Sequence, residues 1–369
     1  MERNSSLMSG AHLLTLLLLI FSSVQLKAQL SFYTGLDGYL DDNIYNNYLG
    51  VSDMINSFSL GTSLDFESSQ NDFGVYYDGN LTLFSENTFK SSNTHKLGLV
   101  NSFYFSAVNP LTIGANYSFR NYDNGYDVYD WKQISFYANY RQYTFDNDFV
   151  LAGYIFNRID YPNLETFSYN EHRGFIKYKA LFNSKTSLLL GIEGNYKDYI
   201  QKFKQSSTIN NAIQLSSFVQ IAQSLGESTG LSLFAQVRKN IKDGNRSANW
   251  NDYIYYEEEM LNDRYSHDGY DGGVKLTQML TPSLILSGYV NYAKRNYTNL
   301  PAADLEGNDF EYTREDDNFK YGLQLEASLG SILSGLYGDL NWDYVRNTSN
   351  DEFYNYSNQV FSAGFEFNF

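Results

Sequence analysis

From residue 30 to the end of the chain, apolar and polar residues alternate with a period of two in one segment after another. In one such segment Ile113, Ala115 and Tyr117 alternate with Asn116 and Ser118. A period of two places successive side chains on opposite faces of a β-strand, whereas a helix requires a period of 3.6. The pattern therefore predicts an all-β chain whose strands each have one apolar and one polar face.

The number of these segments limits the architecture further. We count about 16 of them, each of about 10–14 residues, which is long enough for a tilted strand that crosses a membrane. The remaining residues give about 21 residues per strand with its connection, a spacing typical of a membrane barrel. A secreted β-sandwich or propeller is the soluble alternative. It is disfavoured because the non-apolar face repeatedly carries Asp, Asn, Arg and Lys.

The connections between the segments alternate in length. Short connections fall at Ser69–Asp72 and Asp146–Asp148, whereas long ones fall at Asp41–Asp53, Lys242–Ser266 and Tyr297–Asp317. Outer-membrane barrels have short periplasmic turns and long extracellular loops, and we predict this topology. An open sheet in a bilayer would leave backbone groups unpaired, so the sheet is expected to close into an antiparallel up-and-down barrel with a water-filled bore.

The prolines and aromatic residues fit this scheme. We expect prolines in connections, since proline lacks the N–H that a strand interior needs. The four prolines are Pro110, Pro162, Pro282 and Pro301. We expect aromatic girdles at both strand ends. The proposed members are Phe32, Phe73, Phe149, Phe367 and Phe369 on the turn side, with Tyr140, Tyr196, Tyr292 and Tyr344 on the loop side.

The first 29 residues form a separate segment. Leu13–Phe21 is a short apolar run, and Ser22–Gln29 is a polar exit. This arrangement is typical of a secretory signal peptide cleaved near Ala28 or Gln29, because the apolar run is too short to span a bilayer as a helix. An uncleaved N-terminal anchor is the alternative. We therefore expect residues 1–29 to be removed and residues 30–369 to form a single barrel domain.

Composition excludes several classes of function. The chain of 369 residues has no Cys, which excludes disulfides, thiol catalysis, Cys-ligated metals and a lipidated N-terminal Cys. A net charge of -16 argues against nucleic acid as a partner, because phosphate binding needs clustered basic residues. A mean hydropathy of -0.42 argues against a polytopic helical membrane protein.

The last residues of the chain give the sharpest local signal. Phe361, Phe365, Phe367 and Phe369 share one strand face, and the chain ends on Phe369. This ending resembles the C-terminal strand signal of bacterial outer-membrane barrels, so Phe365, Phe367 and Phe369 are predicted to form the barrel-assembly signal. The Tyr/Asn-rich strands and the signal exit at residues 27–29 resemble outer-membrane barrels of the Bacteroidota type. The resemblance concerns architecture and identifies no functional subfamily.

That resemblance implies a cellular setting. The mature protein is expected in the outer membrane of a Gram-negative cell, among outer-membrane lipids and lipopolysaccharide, after insertion by the barrel-assembly machinery. Its oligomeric state is left open, and a homo-oligomer is compatible with the sequence.

With the apolar face outward, parity assigns the charged residues that line the bore. The basic candidates are Arg120, Arg141, Arg173, Lys177, Lys179, Lys197 and Arg238. The acidic candidates are Asp37, Asp65, Asp78, Asp339, Asp343 and Glu366. The two groups lie on different strands that face each other on closure, which predicts a field across the pore. The alternative is a polar lumen of paired charges, and a slip of one residue would move each side chain to the lipid face.

Nothing in the sequence indicates catalysis or a metal. His95, His172 and His267 lie on well-separated strands, and Ser266 next to His267 would point to the opposite strand face. The acidic stretches 252–263 and 304–317 lack a calcium-loop spacing and are expected to be solvated loops, although Ca²⁺ binding stays open. We expect no enzymatic activity and no cofactor, with an outer-membrane hydrolase as a remote alternative.

These patterns favour a porin-like outer-membrane channel for passive diffusion of small polar or charged solutes. The main alternative is a structural or docking barrel of a surface or secretion assembly, with an occluded pore. A TonB-dependent transporter is disfavoured because the first strand is expected almost directly after the signal segment, without a plug domain.

Overall fold

The computed structural model describes residues 27–106, 108–123, 125–145, 148–202, 209–242 and 264–369. These residues form a closed barrel in which each of sixteen strands pairs with its neighbours in sequence, and the first strand pairs with the last. Every pairing is antiparallel, as in the hairpin between Asp53–Glu67 and Asn71–Phe84. The predicted all-β, up-and-down barrel is confirmed.

The strand bounds follow the alternating segments. The first eight are β1 Lys27–Asp41, β2 Asp53–Glu67, β3 Asn71–Phe84, β4 Ser92–Tyr104, β5 Pro110–Tyr122, β6 Trp131–Phe145, β7 Asp148–Asp160 and β8 Tyr169–Leu181. The others are β9 Thr186–Tyr199, β10 Asn211–Ser224, β11 Thr229–Lys242, β12 Asp268–Thr281, β13 Leu284–Ala303, β14 Asp309–Ser328, β15 Leu336–Ser349 and β16 Tyr356–Asn368. Within the described residues, four single-turn 3-10 helices lie in connections between strands, at Thr88–Lys90, Asp127–Tyr129, Glu165–Phe167 and Glu352–Tyr354.

The two ends of the barrel differ in the length of their connections. At one end, called the turn end, β12 and β13 are joined by two residues and β2 and β3 by three. At the other, called the loop end, residues 42–52 join β1 to β2. Both the start of β1 and the end of β16 lie at the turn end. The predicted alternation of short and long connections is therefore present in the fold.

One predicted loop is instead a hairpin. Residues expected to form the connection Tyr297–Asp317 belong mostly to β13 and β14, which have 20 residues each and are joined by residues 304–308. Pro301 consequently lies inside β13, and Pro110 is the first residue of β5. The β13–β14 register shifts on both sides of Pro301. A bulge of this kind accommodates a residue that cannot donate to the ladder.

The loop end has its own small aromatic core. Tyr126, Tyr129, Tyr161, Leu164 and Phe167 are buried together and join the connection after β5 to the connection after β7. The ammonium of Lys90 lies 4.3 Å from the Tyr45 ring centroid and 5.3 Å from that of Tyr126, adding two further connections. These contacts pack the connections after β1, β3, β5 and β7 against one another.

Within the described residues, no helix has the length and apolar character needed to cross a membrane.

Candidate functional site

Contacts across a strand identify the inner face of the barrel. The Tyr33 hydroxyl on β1 donates to Asp78 Oδ1 on β3 at 3.1 Å, passing over Gly61 on β2. Tyr289 on β13 likewise donates to Asp343 on β15. Side chains that are two strands apart can meet only on the concave side of a curved sheet, because side chains on the convex side diverge. The opposite face carries exposed apolar side chains such as Ile176, so it is the outer face.

The strand register places the thirteen charged residues predicted for the bore on this concave face. Asp37 and Asp339 both pair with Gly364, for example, and Arg141 and Lys177 both pair with Leu151. The acidic members lie on β15, β16, β1, β2 and β3, whereas the basic members lie on β5, β6, β8, β9 and β11. In a ring of sixteen strands β8 is opposite β16, so the two groups occupy opposite sides of the wall.

Some basic members at the loop end are held by structural contacts. Arg173 Nη2 lies 3.3 Å from Glu193 Oε2, an ion pair between β8 and β9. Lys197 is 2% exposed, and its ammonium lies 4.2 Å from the Tyr169 ring centroid and 4.5 Å from that of Tyr199. Residues in such contacts stabilise the wall, and their charge is largely shielded from the lumen.

The basic members nearer the turn end have aromatic rather than acidic neighbours. The Lys177 ammonium lies 4.9 Å from the Phe175 ring centroid and 5.6 Å from that of Phe218. The Arg141 guanidinium lies 5.1 Å from the Phe149 centroid. Neither cation forms a salt bridge with any carboxylate among the described residues. A cation over a ring face keeps its charge, so these two side chains remain available to a solute.

On the acidic side, neutral donors supply most of the bonds to the carboxylates. Ser63 donates to Asp65 Oδ2 at 2.8 Å, and Asn368 donates to Glu366 Oε1 at 2.7 Å. Asp343 also has a cation nearby, with Lys320 Nζ at 3.5 Å. A neutral donor brings no positive charge to a carboxylate, so this side of the wall presents acceptors.

Further charged residues share the concave face but were missed in the sequence. Among them are Lys96, Glu171, Asp271 and Glu326, which the register pairs with Asp78, Lys197, Gln236 and Asp339 respectively. The same alternation would have identified them if it had been applied residue by residue. Glu171 is buried and accepts hydrogen bonds from Asn157 at 3.0 Å and from the Tyr265 hydroxyl at 2.7 Å.

Several aromatic rings lie against the inner wall, away from the strand-end girdles that the sequence predicts. A Cβ atom built on the facing glycine of a neighbouring strand would overlap each ring. The ring–glycine pairs are Tyr33–Gly61, Tyr76–Gly98, Tyr137–Gly114, Phe175–Gly153 and Phe218–Gly191. Because glycine has no side chain, it leaves the space in which a ring can lie beside the backbone.

Two proposed girdle members were also misplaced. Phe149 pairs with Lys179 and Tyr143 and shares their concave face, so it is not part of an outer girdle. Tyr140 pairs with Leu111 near the start of β5, which is the turn end rather than the loop end. β6 follows the long connection of residues 123–130 and therefore runs from the loop end to the turn end, which places Tyr140, late in the strand, near the turn end.

The segment Arg264–His267 enters the loop-end mouth of the bore. Arg264 Nη2 donates to Glu193 Oε1 at 2.5 Å, and Tyr265 bonds to Glu171, so both contacts are with the concave face. Tyr265, Ser266 and His267 are buried. The acidic stretch 252–263 of the same connection lies outside the described residues. The last residues of this connection therefore narrow the mouth.

Ser266 and His267 do not point in opposite directions as predicted, because they precede β12 and are not in a strand. Ser266 Oγ lies 3.2 Å from His267 Nδ1. The other ring nitrogen, Nε2, faces Arg238 Nη1 at 3.0 Å instead of a carboxylate. Burial, together with Arg295, Arg238 and Arg314, lowers the pKa of His267 to about 3. An imidazole in this environment is a weak base, and it is poorly suited to activate Ser266.

The acidic hairpin tip between β13 and β14 forms an ordinary turn. Asp304 accepts hydrogen bonds from the backbone N–H and the side-chain amide of Asn308, both at 2.8 Å. Across the part of the chain that the structure describes, no three His, Asp or Glu side chains are grouped closely enough to hold a metal ion.

No family model and no curated protein matches the sequence. Solved structures of outer-membrane barrels do match the fold. The outer membrane protein OpdK of Pseudomonas aeruginosa matches with a TM-score of 0.55 and 11% identity, over 92% of this chain and 99% of that chain. OccAB1 of Acinetobacter baumannii gives a TM-score of 0.56 and 11% identity, over 93% and 96%. The fold is that of a sixteen-strand outer-membrane β-barrel.

A third similar structure is a bacterial polysaccharide outer membrane secretin. Its TM-score is 0.52 at 10% identity, with 92% of this chain and 98% of that chain covered. Identities this low concern the fold alone.

Proposed function

We propose that this protein is a porin-like channel through which small polar or charged solutes diffuse passively across the outer membrane. The observation that carries the proposal is the unneutralised charge on the inner wall. Lys177 and Arg141 rest on aromatic rings on one side, and carboxylates such as Asp37 and Asp339 lie on the other side. Charges held in this way act on a solute rather than on each other.

The size of the barrel and its structural neighbours support this proposal. Barrels of sixteen strands enclose a bore wide enough for water, whereas eight-stranded ones are filled by side chains. One of the similar solved structures is OpdK with vanillate, a small solute. The charged groups of this chain suit polar or charged solutes, which would align across the lumen, and they offer nothing to an apolar one.

The proposal includes the route to the membrane. Residues 1–29 would direct export and be removed, which would shorten β1 by its first three residues, Lys27–Gln29. Residues 30–369 would be inserted into the outer membrane of a Gram-negative cell of the Bacteroidota type. Phe365, Phe367 and Phe369 would be recognised by the barrel-assembly machinery. Phe365 and Phe369 are exposed on the outer face, where lipid would cover them.

A structural or docking barrel with an occluded pore is the second candidate. It is favoured by the segment Arg264–His267, which lies in the loop-end mouth with its last three residues buried and is bonded to Glu193 and Glu171. The two candidates differ in whether ions pass that segment.

Recording the purified, refolded barrel in planar lipid bilayers distinguishes them. A channel gives stepwise, ohmic conductance in KCl, with a cation preference that weakens as salt rises and the Debye length shrinks from about 10 Å at 0.1 M to about 3 Å at 1 M. A folded barrel that inserts but gives no conductance steps would favour the docking role and contradict the channel.

A further inference from the structure

The outer face carries two copies of one side-chain arrangement. The Tyr77 hydroxyl lies 2.7 Å from His95 Nδ1, and the Tyr154 hydroxyl lies 2.5 Å from His172 Nδ1. In both copies the tyrosine is on one strand and the histidine is on the next, 18 residues later. The register is also the same, since each histidine pairs with the residue two positions after the tyrosine.

These pairs lie where the outer face changes from apolar to polar. Each histidine has an asparagine on the same face, two residues closer to the loop end. Asn93 lies beside His95, and Asn170 lies beside His172. In the other direction the face is apolar, with Leu97 57% exposed and Ile176 59% exposed. In a membrane barrel such a boundary marks the level of the lipid headgroups.

Only one ring nitrogen of His172 forms a hydrogen bond within the described residues. Its Nδ1 is bonded to Tyr154, and its ring packs against Phe156 at 5.1 Å and Tyr196 at 6.0 Å. Among the described residues Nε2 has no hydrogen-bond partner. When the tyrosine donates to Nδ1, the neutral ring carries its proton on Nε2, and a protonated ring also has one there. Nε2 can therefore donate to an acceptor in the headgroup layer.

A guanidinium lies beside this donor on the adjacent strand. Arg158 pairs in register with Asn170, two residue pairs toward the loop end from His172, and its side chain is exposed on the outer face. It bonds to Asp160 through Nε and Nη2, at 3.0 and 3.1 Å. Nη1 remains free of those bonds, and an arginine has five N–H donors in all. Arg158 and His172 thus present donors to the same part of the headgroup layer.

Below this pair the outer face has a groove. It has a volume of about 790 Å³ and is lined by Gly174, Gly194, Ile176, Leu190 and Ile192. Gly174 and Gly194 face each other across β8 and β9, and a Cβ on either would meet no atom within 4 Å. The two glycines therefore leave a trough in the lipid-facing wall, level with Tyr154 and toward the turn end from His172.

We propose that this region binds a lipid with an anionic phosphate headgroup from the loop-side leaflet. Arg158 and His172 Nε2 hold the phosphate, and one acyl chain lies in the groove over Gly174 and Gly194. The Nη1 donors that Asp160 leaves unused, together with His172 Nε2, suit phosphate oxygens. The groove lies on the membrane-facing side, where acyl chains are present. The site is on the outer wall and does not depend on whether the bore conducts.

Native mass spectrometry of the detergent-solubilised barrel tests the site with dioctanoyl phosphatidic acid. We expect Arg158→Gln combined with His172→Asn to weaken binding about tenfold, the effect of losing one or two charge-assisted hydrogen bonds. Arg346→Gln is the matched control, because Arg346 is another exposed arginine near the loop end, bonded to Asn355. The control should bind the lipid as the unmodified protein does.

Three further measurements keep the proposal falsifiable. Gly194→Leu fills the groove in open space and should weaken lipid binding while the barrel stays folded. Dioctanoylglycerol, which lacks the phosphate, should bind more weakly than phosphatidic acid, and inorganic phosphate should not displace the lipid. Equal affinity of the double variant and the unmodified protein would overturn the proposal. Equal binding of dioctanoylglycerol, or displacement by free phosphate, would do the same.

Discussion

Phe32 and Phe369 close the barrel by exchanging both of their backbone hydrogen bonds. The Phe32 N–H donates to the Phe369 carbonyl at 2.9 Å, and the Phe369 N–H donates to the Phe32 carbonyl at 3.0 Å. Their rings stack with centroids 5.4 Å apart, and Phe367 stacks on Phe369 at 5.1 Å. The last residue of the chain is therefore part of the seam, in addition to its predicted role as an assembly signal.

Deleting residues 367–369 should impair assembly, because β16 would lose its terminal pairs with β1 and part of its apolar outer face. We expect less of the heat-modifiable, folded form in the outer-membrane fraction on a semi-native gel. Phe105→Ala is the control, since Phe105 is highly exposed in a turn-end connection and closes no seam. A deletion variant that folds as well as this control would contradict the expectation.

Replacing Arg141 and Lys177 by Glu should increase cation selectivity, measured as the reversal potential in a KCl gradient. Both side chains are on the concave face without an acidic partner among the described residues, so reversal adds negative charge to the lumen. Arg173 is left unchanged because a glutamate there would face Glu193 and disturb an ion pair.

The same double variant tests the register. On the concave face the new carboxylates would be solvated, whereas charges at the midplane of the lipid face cost about 2–4 kcal/mol for Lys or Arg and less for Glu. Lys185→Glu, in an exposed turn-end connection, is the control for added charge outside the bore. Misfolding of the double variant alone would show that these residues are not in the lumen.

Gly191→Ala should lower the single-channel conductance. A methyl group at Gly191 would overlap the Phe218 ring, which would then have to swing from the wall into the lumen. Gly174→Ala places the same methyl group on the outer face of the neighbouring strand, in open space, and should leave the conductance unchanged. Equal conductance of the two variants would mean that the ring does not bound the conducting path.

Acid pH should loosen the segment Arg264–His267. His267 has a pKa of about 3 in the fold, against an ordinary value near 6.5, because it is buried near three arginines. The unfolded segment therefore binds a proton first, and the contact weakens by up to about 1.4 kcal/mol per pH unit as pH falls below about 6.5. Above that pH its stability is fully present.

Hydrogen exchange, corrected for intrinsic rate, measures this loosening between pH 7 and pH 4.5. Protection of residues 264–267 should fall in the unmodified protein and stay nearly constant in His267→Gln. The turn Thr88–Lys90 contains no histidine and serves as an internal reference. Parallel loss of protection in both proteins would assign the effect to another group.

Glutamate-specific protease added to intact cells should cut after Glu306 and spare Glu227. Glu306 lies in the exposed hairpin tip between β13 and β14, and Glu227 lies in an exposed turn-end connection. Both should be cut once the outer membrane is permeabilised. Early cleavage at Glu227 would invert the topology predicted from loop lengths. The connection Lys242–Ser266 is also predicted to be extracellular, but most of it lies outside the described residues.

The alternation predicted the barrel well because a strand with one lipid face and one aqueous face has a strict period of two. Arg141, Lys177 and Asp339 were placed on one face by counting alone. The segment Tyr297–Asp317 was wrongly predicted to be a loop. A hairpin that extends beyond the membrane has the same polar and charged composition as a polar loop. No apolar face is required there, so the alternation is lost while the backbone pairing continues.

Contacts inside the mouth could not be predicted in this way. Arg264 and Glu193 are 71 residues apart, and no local pattern links them. The rings lying over Gly61 and Gly191 depend on which strands are neighbours and in which register, and alternation alone does not fix that register.

The contacts of Lys90 make the packing of the loop end independent of redox conditions. Extracellular parts of proteins are often cross-linked by disulfides, but this chain has no Cys. Here the loops are connected by the contacts of Lys90 with Tyr45 and Tyr126 and by the packing of the buried tyrosines beside them. A reductant cannot break contacts of this kind. The packing of the loop-end connections should therefore be the same under oxidising and under strongly reducing conditions.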